Sequence, residues 1–116
     1  MNYSDITDAL SRADIDVALP GARQGVCVSP YAVVQKTGTY RYASSPRLGY
    51  TVITVHCYVP LGCYGQLDIL IGRVKAALRT LSPDLRPSGS EGIHLINDHF
   101  RAHESSVQYM LQKRLS

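Results

Sequence analysis

The spacing of apolar positions changes along this chain, and each change marks an element. Ser4 followed by DITDALSRA places Ile6, Ala9, Leu10 and Ala13 on one helical face. Ser4 is placed to cap that short helix, and Asp5 suits its positive end. LPGARQG, residues 19 to 25, is a Pro/Gly-rich connection. YAVVQK, 31 to 36, is β-branched enough for a strand, and Thr37-Gly38 reads as the turn that closes it. TYRYASSPRLG then runs as a polar loop broken at Ser44-Ser45-Pro46.

Residues 49 to 59, GYTVITVHCYV, give the clearest strand signal. Apolar or small side chains dominate both of its faces, which suits a central strand. Pro60 and Gly62 stop it. GQLDILIGRVKAALRTL, 65 to 81, then sets Leu67, Leu70, Ile71, Val74, Leu78 and Leu81 three and four apart, an amphipathic helix. Arg73, Lys75 and Arg79 lie off that stripe, and Ser82-Pro83 ends it. Residues 82 to 92, SPDLRPSGSEG, read as a flexible loop by composition. GIHLIN and SSVQYMLQK form two closing strands around the polar bend DHFRAHE, with Val107, Tyr109 and Leu111 alternating against Gln108 and Gln112.

These elements predict one α+β domain spanning residues 1–116. Its sheet is largely antiparallel, of about four strands, with one long amphipathic helix across one face and a short helix at the N-terminus. A chain of 116 residues can bury one modest core but not two. Eight Tyr with no Trp and a single Phe favour half-exposed strands and contact surfaces, because a Tyr ring is apolar and its tip polar. The charge is uneven: residues 1 to 16 carry a net −3 and the remaining hundred a net +6. Such a split suits contact with copies or neighbours through complementary fields. A nucleic-acid binder normally shows a denser basic stripe. MNYSDITDAL has no apolar core of the signal-peptide kind, and no apolar run approaches the roughly 18 residues of a membrane span. Three cysteines do not make a secreted disulfide framework, so a reducing cytoplasm is the expected compartment.

Candidate chemistry concentrates in two stretches. HCYVPLGC, 56 to 63, could be a metal or redox site, yet His56 and Cys57 are adjacent in a strand and point to opposite faces. With no second cysteine knuckle, the expected state is an inert, buried thiol, with no metal and no cofactor. DHFRAH offers Asp98, His99 and His103. A small metal-dependent hydrolase is one alternative there, although the HExxH glutamate is replaced by Phe100. A polar bend is the plainer reading. Arg23, Lys36, Arg41 and Arg47 interleave with Tyr31, Tyr40 and Tyr42, so a small nucleic-acid-binding domain is a second alternative. No Walker loop, GxGxxG or GxSxG marks an enzyme.

Three ordered stretches resemble one family. YAVVQKTGTYRYASSPRLGYTVITVHCYVP is similar to a strand–loop–strand of the siphophage tail-terminator, or tail-completion, proteins that join head to tail. PLGCYGQLDILIGRVKAALRTL resembles their helix with its preceding turn, and INDHFRAHESSVQYML their closing bend and strand. The resemblance covers about residues 1 to 114. It implies a non-enzymatic virion protein: a subunit of a ring, hexameric in that family, that terminates the tail tube and joins it to the head connector. The implied partners are other copies of the chain, the major tail tube protein and a head-completion or connector protein. Genomic DNA would pass through the lumen, and no membrane is involved. The implied location is the head–tail junction of the virion, assembled in the host cytoplasm. A ring needs heterologous interfaces that close, and a lumen that lets DNA slide should avoid dense Lys/Arg. The interface candidates are Arg41, Tyr42 and Arg47 in the loop 40–48, with Asp84, Arg86 and Glu91 in 82–92, because long polar connections in compact domains are often functional.

Overall fold

The computed structural model describes residues 3–18, 20–21, 25–41, 48–82 and 84–114, with the side chains of 41, 90, 113 and 114 outside that description. The element order is α1 (Tyr3–Arg12), β1 (Val17–Ala18), β2 (Tyr31–Arg41), β3 (Leu48–Pro60), a 3-10 turn (Leu61–Cys63), α2 (Gly65–Arg79), β4 (Leu85–Glu91), β5 (Leu95–Asn97) and β6 (Ala102–Arg114). The class is α+β, as the sequence predicts. The sheet is mixed and has six strands rather than four, in the order β1-β2-β3-β6-β4, with β5 also on β6. β1 runs parallel to β2, and every other pairing is antiparallel.

Period-2 alternation divides the sheet's side chains between two faces. On one face Ala32, Val34, Ile53, Val55, Cys57, Val59, Val107, Tyr109 and Leu111 meet the two helices in a single core. α2 supplies Leu67, Leu70, Val74 and Leu78 to it, the stripe legible in the sequence. The helix is 15 residues, however, and stops at Arg79; Leu81 packs half-buried from the turn that follows. α1 adds Ile6, Ala9 and Leu10. Its first helical residue is Tyr3, so Ser4 lies inside the first turn rather than capping it. The Tyr3 hydroxyl donates to the Val34 carbonyl at 2.6 Å and ties α1 to β2. At the other end of α1, Asp14 adopts a left-handed φ of 60°. Arg73 of α2 donates to the carbonyls of Ala13 and Asp14 at 2.7 and 3.1 Å, placing a cation at the negative helix end.

Two predicted turns are strand instead. Thr37-Gly38 does not close β2: the strand absorbs a bulge between Lys36 and Gly38 and continues to Arg41. The Thr37 hydroxyl bonds Thr54 across the strand pair at 3.0 Å. The 82–92 segment contains β4, whose Leu85 is buried. Its Pro87 and left-handed Gly89 look like loop chemistry, but an edge strand accommodates both at a bulge. The bend after β5 is also shorter than DHFRAHE suggests, because β6 begins at Ala102. Asn97 closes it by accepting the Phe100 N–H at 3.0 Å, and Arg101 turns the chain with φ 50°.

Among the described residues no helix covers the opposite sheet face. At one end Ala18, Cys27, Tyr31, Tyr58 and Ala102 form a second small cluster with Val33 and Phe100. Tyr31 stacks on Tyr58 at 5.0 Å, and Phe100 meets the Tyr58 ring edge-on. Further along, that face is polar: His56 bonds Gln35 at 2.8 Å, and Thr54, Ser106 and Gln108 follow by register. No described helix is long and apolar enough to cross a membrane.

Candidate interaction surface

Five large apolar side chains left in water lie in or beside β5 and the turn before α2, while Tyr40 and Leu48 are exposed at the far end of the β2–β3 pair. Leu61 is 44% exposed, Tyr64 59%, Ile93 74%, Leu95 50% and Ile96 59%. Exposed apolar residues scattered singly are ordinary, whereas a contiguous group marks an interaction site. The register joins only part of this group: Ile96 lies on the His103 side with Leu61 and Tyr64, while Leu95 falls on the other face with Glu104. β5 lies on the first residues of β6, with Leu95 opposite Glu104 and Ile96 opposite His103. The same His103 reaches the Leu61 carbonyl through Nε2 at 3.0 Å, bringing the turn before α2 to the end of β5. Tyr64 stands over both His94 and His103, ring centres 5.0 and 5.1 Å away.

A bulge sets this surface. Glu91 pairs with Val107 and Leu95 with Glu104, so four steps on one strand span three on β6. The extra residue lifts Ile93 and His94 off the ladder. Gly92 sits at the pivot, its N–H donating to the Ser106 carbonyl at 2.8 Å and its own carbonyl accepting from the Ser105 hydroxyl at 3.0 Å. A side chain at Gly92 would run into Ser106.

The sheet edges differ in protection. β4 carries Pro87 and a bulge, the devices that blunt an edge against stray pairing. β5 presents Leu95 and Ile96 with neither. On the far side, among the described residues, β1 pairs with Ala32 and Val33 of β2 and the Tyr3 hydroxyl takes the Val34 carbonyl.

Of the sequence-predicted contact residues, Tyr42 and Arg47 lie outside the described residues, as does Arg23. Arg41 is placed by its backbone, opposite Gly49. Asp84 is exposed, and its carbonyl accepts from the Gln112 N–H at 3.0 Å. Arg86 is exposed on β4 opposite Met110. Glu91 pairs with Lys75 of α2 at the rim of an open groove of ≈410 Å³, floored by Leu78, Leu85, Val107 and Tyr109. Asp84, Arg86 and Glu91 lie along the β4 side of the molecule, and none of the three belongs to the apolar end. The apolar end itself escaped the reading of the sequence. Its signal was the run Ile93-His94-Leu95-Ile96, too continuously apolar for a strand with one wet face.

The chemistry-bearing stretches resolve into structure. Cys57 is fully buried on the helix side, and burial pushes its thiol up to about 12. His56 faces the other way, as adjacent strand residues must. Burial holds its imidazole below the ordinary value, and the Glu104 carboxylate partly opposes that. Burial, with Glu104 accepting from its hydroxyl, drives the Tyr58 phenol well up. In DHFRAH, His103 is buried and both of its ring nitrogens are engaged, while His99 packs edge-on to Phe100. Among the described residues no three His, Cys, Asp or Glu side chains gather as metal ligands. Tyr31, offered above as a stacking platform for bases, is 3% exposed and already stacked on Tyr58.

No family model matches this chain, and no curated protein matches it. One solved structure is similar over 97% of this chain and 98% of its own, at 20% identity and a TM-score of 0.44. That likeness is too distant to carry an argument.

Proposed function

We propose that this chain is a structural subunit that works by assembling with copies of itself, as a ring of the kind that ends a phage tail tube and joins it to the head connector. The observation that carries the reading is the exposed apolar group Leu61, Tyr64 and Ile96 around His103, with Leu95 exposed on the other face of the same edge strand, β5. Side chains of this size left in water cost solubility unless a partner covers them, at roughly 25 cal/mol per Å² of apolar area. On the far side β2 supplies a second, different surface, with Gln35, Lys36, Thr37, Thr39 and Tyr40 exposed. Two unlike surfaces on opposite sides of one subunit are what a closed heterologous ring requires. The resemblance of the three ordered sequence stretches gives the ring its place, at the head–tail junction, with tube protein and connector above and below. Six copies is the number that resemblance implies.

The reading assigns no catalytic residue, metal or cofactor. Its test joins electron microscopy of purified protein to mass spectrometry of purified particles. Sixfold rings, with the chain recovered from virions, are the expected result. A strictly single-chain species absent from particles contradicts it.

A further inference from the structure

The two histidines beneath the apolar end form a hydrogen-bonded chain whose proton count is fixed by its last acceptor. A carbonyl can only accept, so His103 Nε2 donates to Leu61 O at 3.0 Å. Neutral imidazole has one N–H, which leaves His103 Nδ1 with a lone pair. That lone pair accepts from His94 Nε2–H at 2.9 Å. One proton can then be added at His94 Nδ1 without breaking either bond. A second must go to His103 Nδ1, where two N–H groups would face one another between rings 4.9 Å apart. Two cations and two opposed donors cannot share that geometry.

We propose that His94 and His103 form an acid-releasable clasp, which holds the bulged 92–97 segment against β6 and the 61–64 turn. The clasp joins three pieces of chain with little else to fix them to one another. β5 has three residues, and residues 92–94 lie off the strand ladder apart from the Gly92 bonds to Ser105 and Ser106. His103 connects β6 to the turn before α2, and His94 connects the bulge to β6. Double protonation severs the second connection and leaves the bulge at Ile93 and His94 held only by the Gly92 bonds and by the short β5 ladder on β6.

Few other charges face the pair. From the α2 side Tyr64 stacks over both rings, Cys63 adjoins it half-buried, and Asp68 is exposed in the first helical turn. From β6 the neighbouring Glu104 points to the opposite face, where it bonds Asn97 and lies near His56 and Tyr58. Asp98, His99 and Arg101 sit in the turn between β5 and β6. β3 brings Val59 and Pro60, and β5 brings Ile96, none of them titratable.

Amide hydrogen exchange at pH about 7.5 and about 5, corrected for intrinsic rates, tests the clasp. Residues 92–97 should open at least about tenfold more at the acid pH, with Ile53–Cys57 of β3 unchanged. His94→Gln keeps a donor toward His103 and, by turning its amide, can also accept, so it should remove the acid response. His103→Gln offers the same two roles at the other position and serves if the first variant folds poorly. Nitrogen-15 shifts should show His103 as the Nε2–H tautomer at neutral pH. Equal exchange at both pH values, an acid response that persists in the glutamine variants, or an Nδ1–H tautomer overturns the clasp. Its consequence for assembly rests on the ring reading: oligomer mass should fall in acid for the natural chain and hold for His94→Gln. Segment opening with unchanged oligomer mass overturns that consequence while the exchange result sustains the clasp.

Discussion

The helix-covered face of the sheet and the end built around His94 and His103 use the same kinds of side chain to opposite ends. On the covered face, Leu, Ile and Val from α1, α2 and four strands are buried to within a few per cent, each satisfied inside one chain. At the apolar end, Leu, Ile and Tyr are 44–74% exposed. Hydrophobicity in the first place holds the subunit together, and in the second it is available to something outside the subunit. Among the described residues no buried side-chain nitrogen or oxygen lacks a partner, so the apolar end is exposed on an otherwise well-satisfied molecule.

Substitutions should separate the two regions. Leu78→Ala, at a position 1% exposed, should lose about 2–5 kcal/mol of unfolding free energy in a denaturant titration, through lost transfer energy and a cavity. That is a large share of the ~5–15 kcal/mol that holds a domain of this size. Gly92→Ala should cost about 1–3 kcal/mol, because the new side chain meets Ser106 at the bulge. Its loss should show in calorimetry and also in weaker self-association, since the same glycine sets the apolar end. Ile96→Lys should leave unfolding within about 0.5 kcal/mol of the natural chain, being a surface change. It should still weaken assembly by at least about tenfold, roughly 1.4 kcal/mol per contact. If Ile96→Lys instead destabilised the fold as Leu78→Ala does, the distinction between the two regions would collapse.

The smallest effect concerns the polar face. Burial lowers the His56 pKa, so the unfolded chain takes up a proton at a pH where the folded chain does not. Folding stability therefore falls as pH drops through about 6.5 toward the depressed folded value. The ring is half in water, so the increment should stay below about 1 kcal/mol. His56→Gln should flatten that part of the profile in urea titrations at pH about 7.5 and about 6.

Legibility in the sequence followed the strength of the local pattern. α2 was plain from apolar residues recurring at 3.6 and β3 from a β-branched and aromatic run apolar or small on both faces, with Pro60 and Gly62 between them. The α+β class followed from them. β4 was hidden because SPDLRPSGSEG has the composition of a loop. What makes it a strand is non-local: Leu85 finds the core and the backbone finds β6. Thr37-Gly38 misled for a related reason, since a bulge in a paired strand uses turn residues without turning the chain. The clasp depends on residues nine apart whose meeting requires the bulge at Gly92, and no local period reports that. GIHLIN reads as a strand, which holds for Leu95–Asn97, but the exposure of Ile93, Leu95 and Ile96 does not follow from that reading, because it depends on how the segment meets β6.

Sedimentation velocity of the natural chain and of Ile96→Lys, from micromolar to millimolar concentration at neutral pH, measures the central claim most directly. Concentration-dependent mass growth in the natural chain, lost in the variant with its fold intact, is the predicted outcome. One chain's mass for both proteins at every concentration would contradict it.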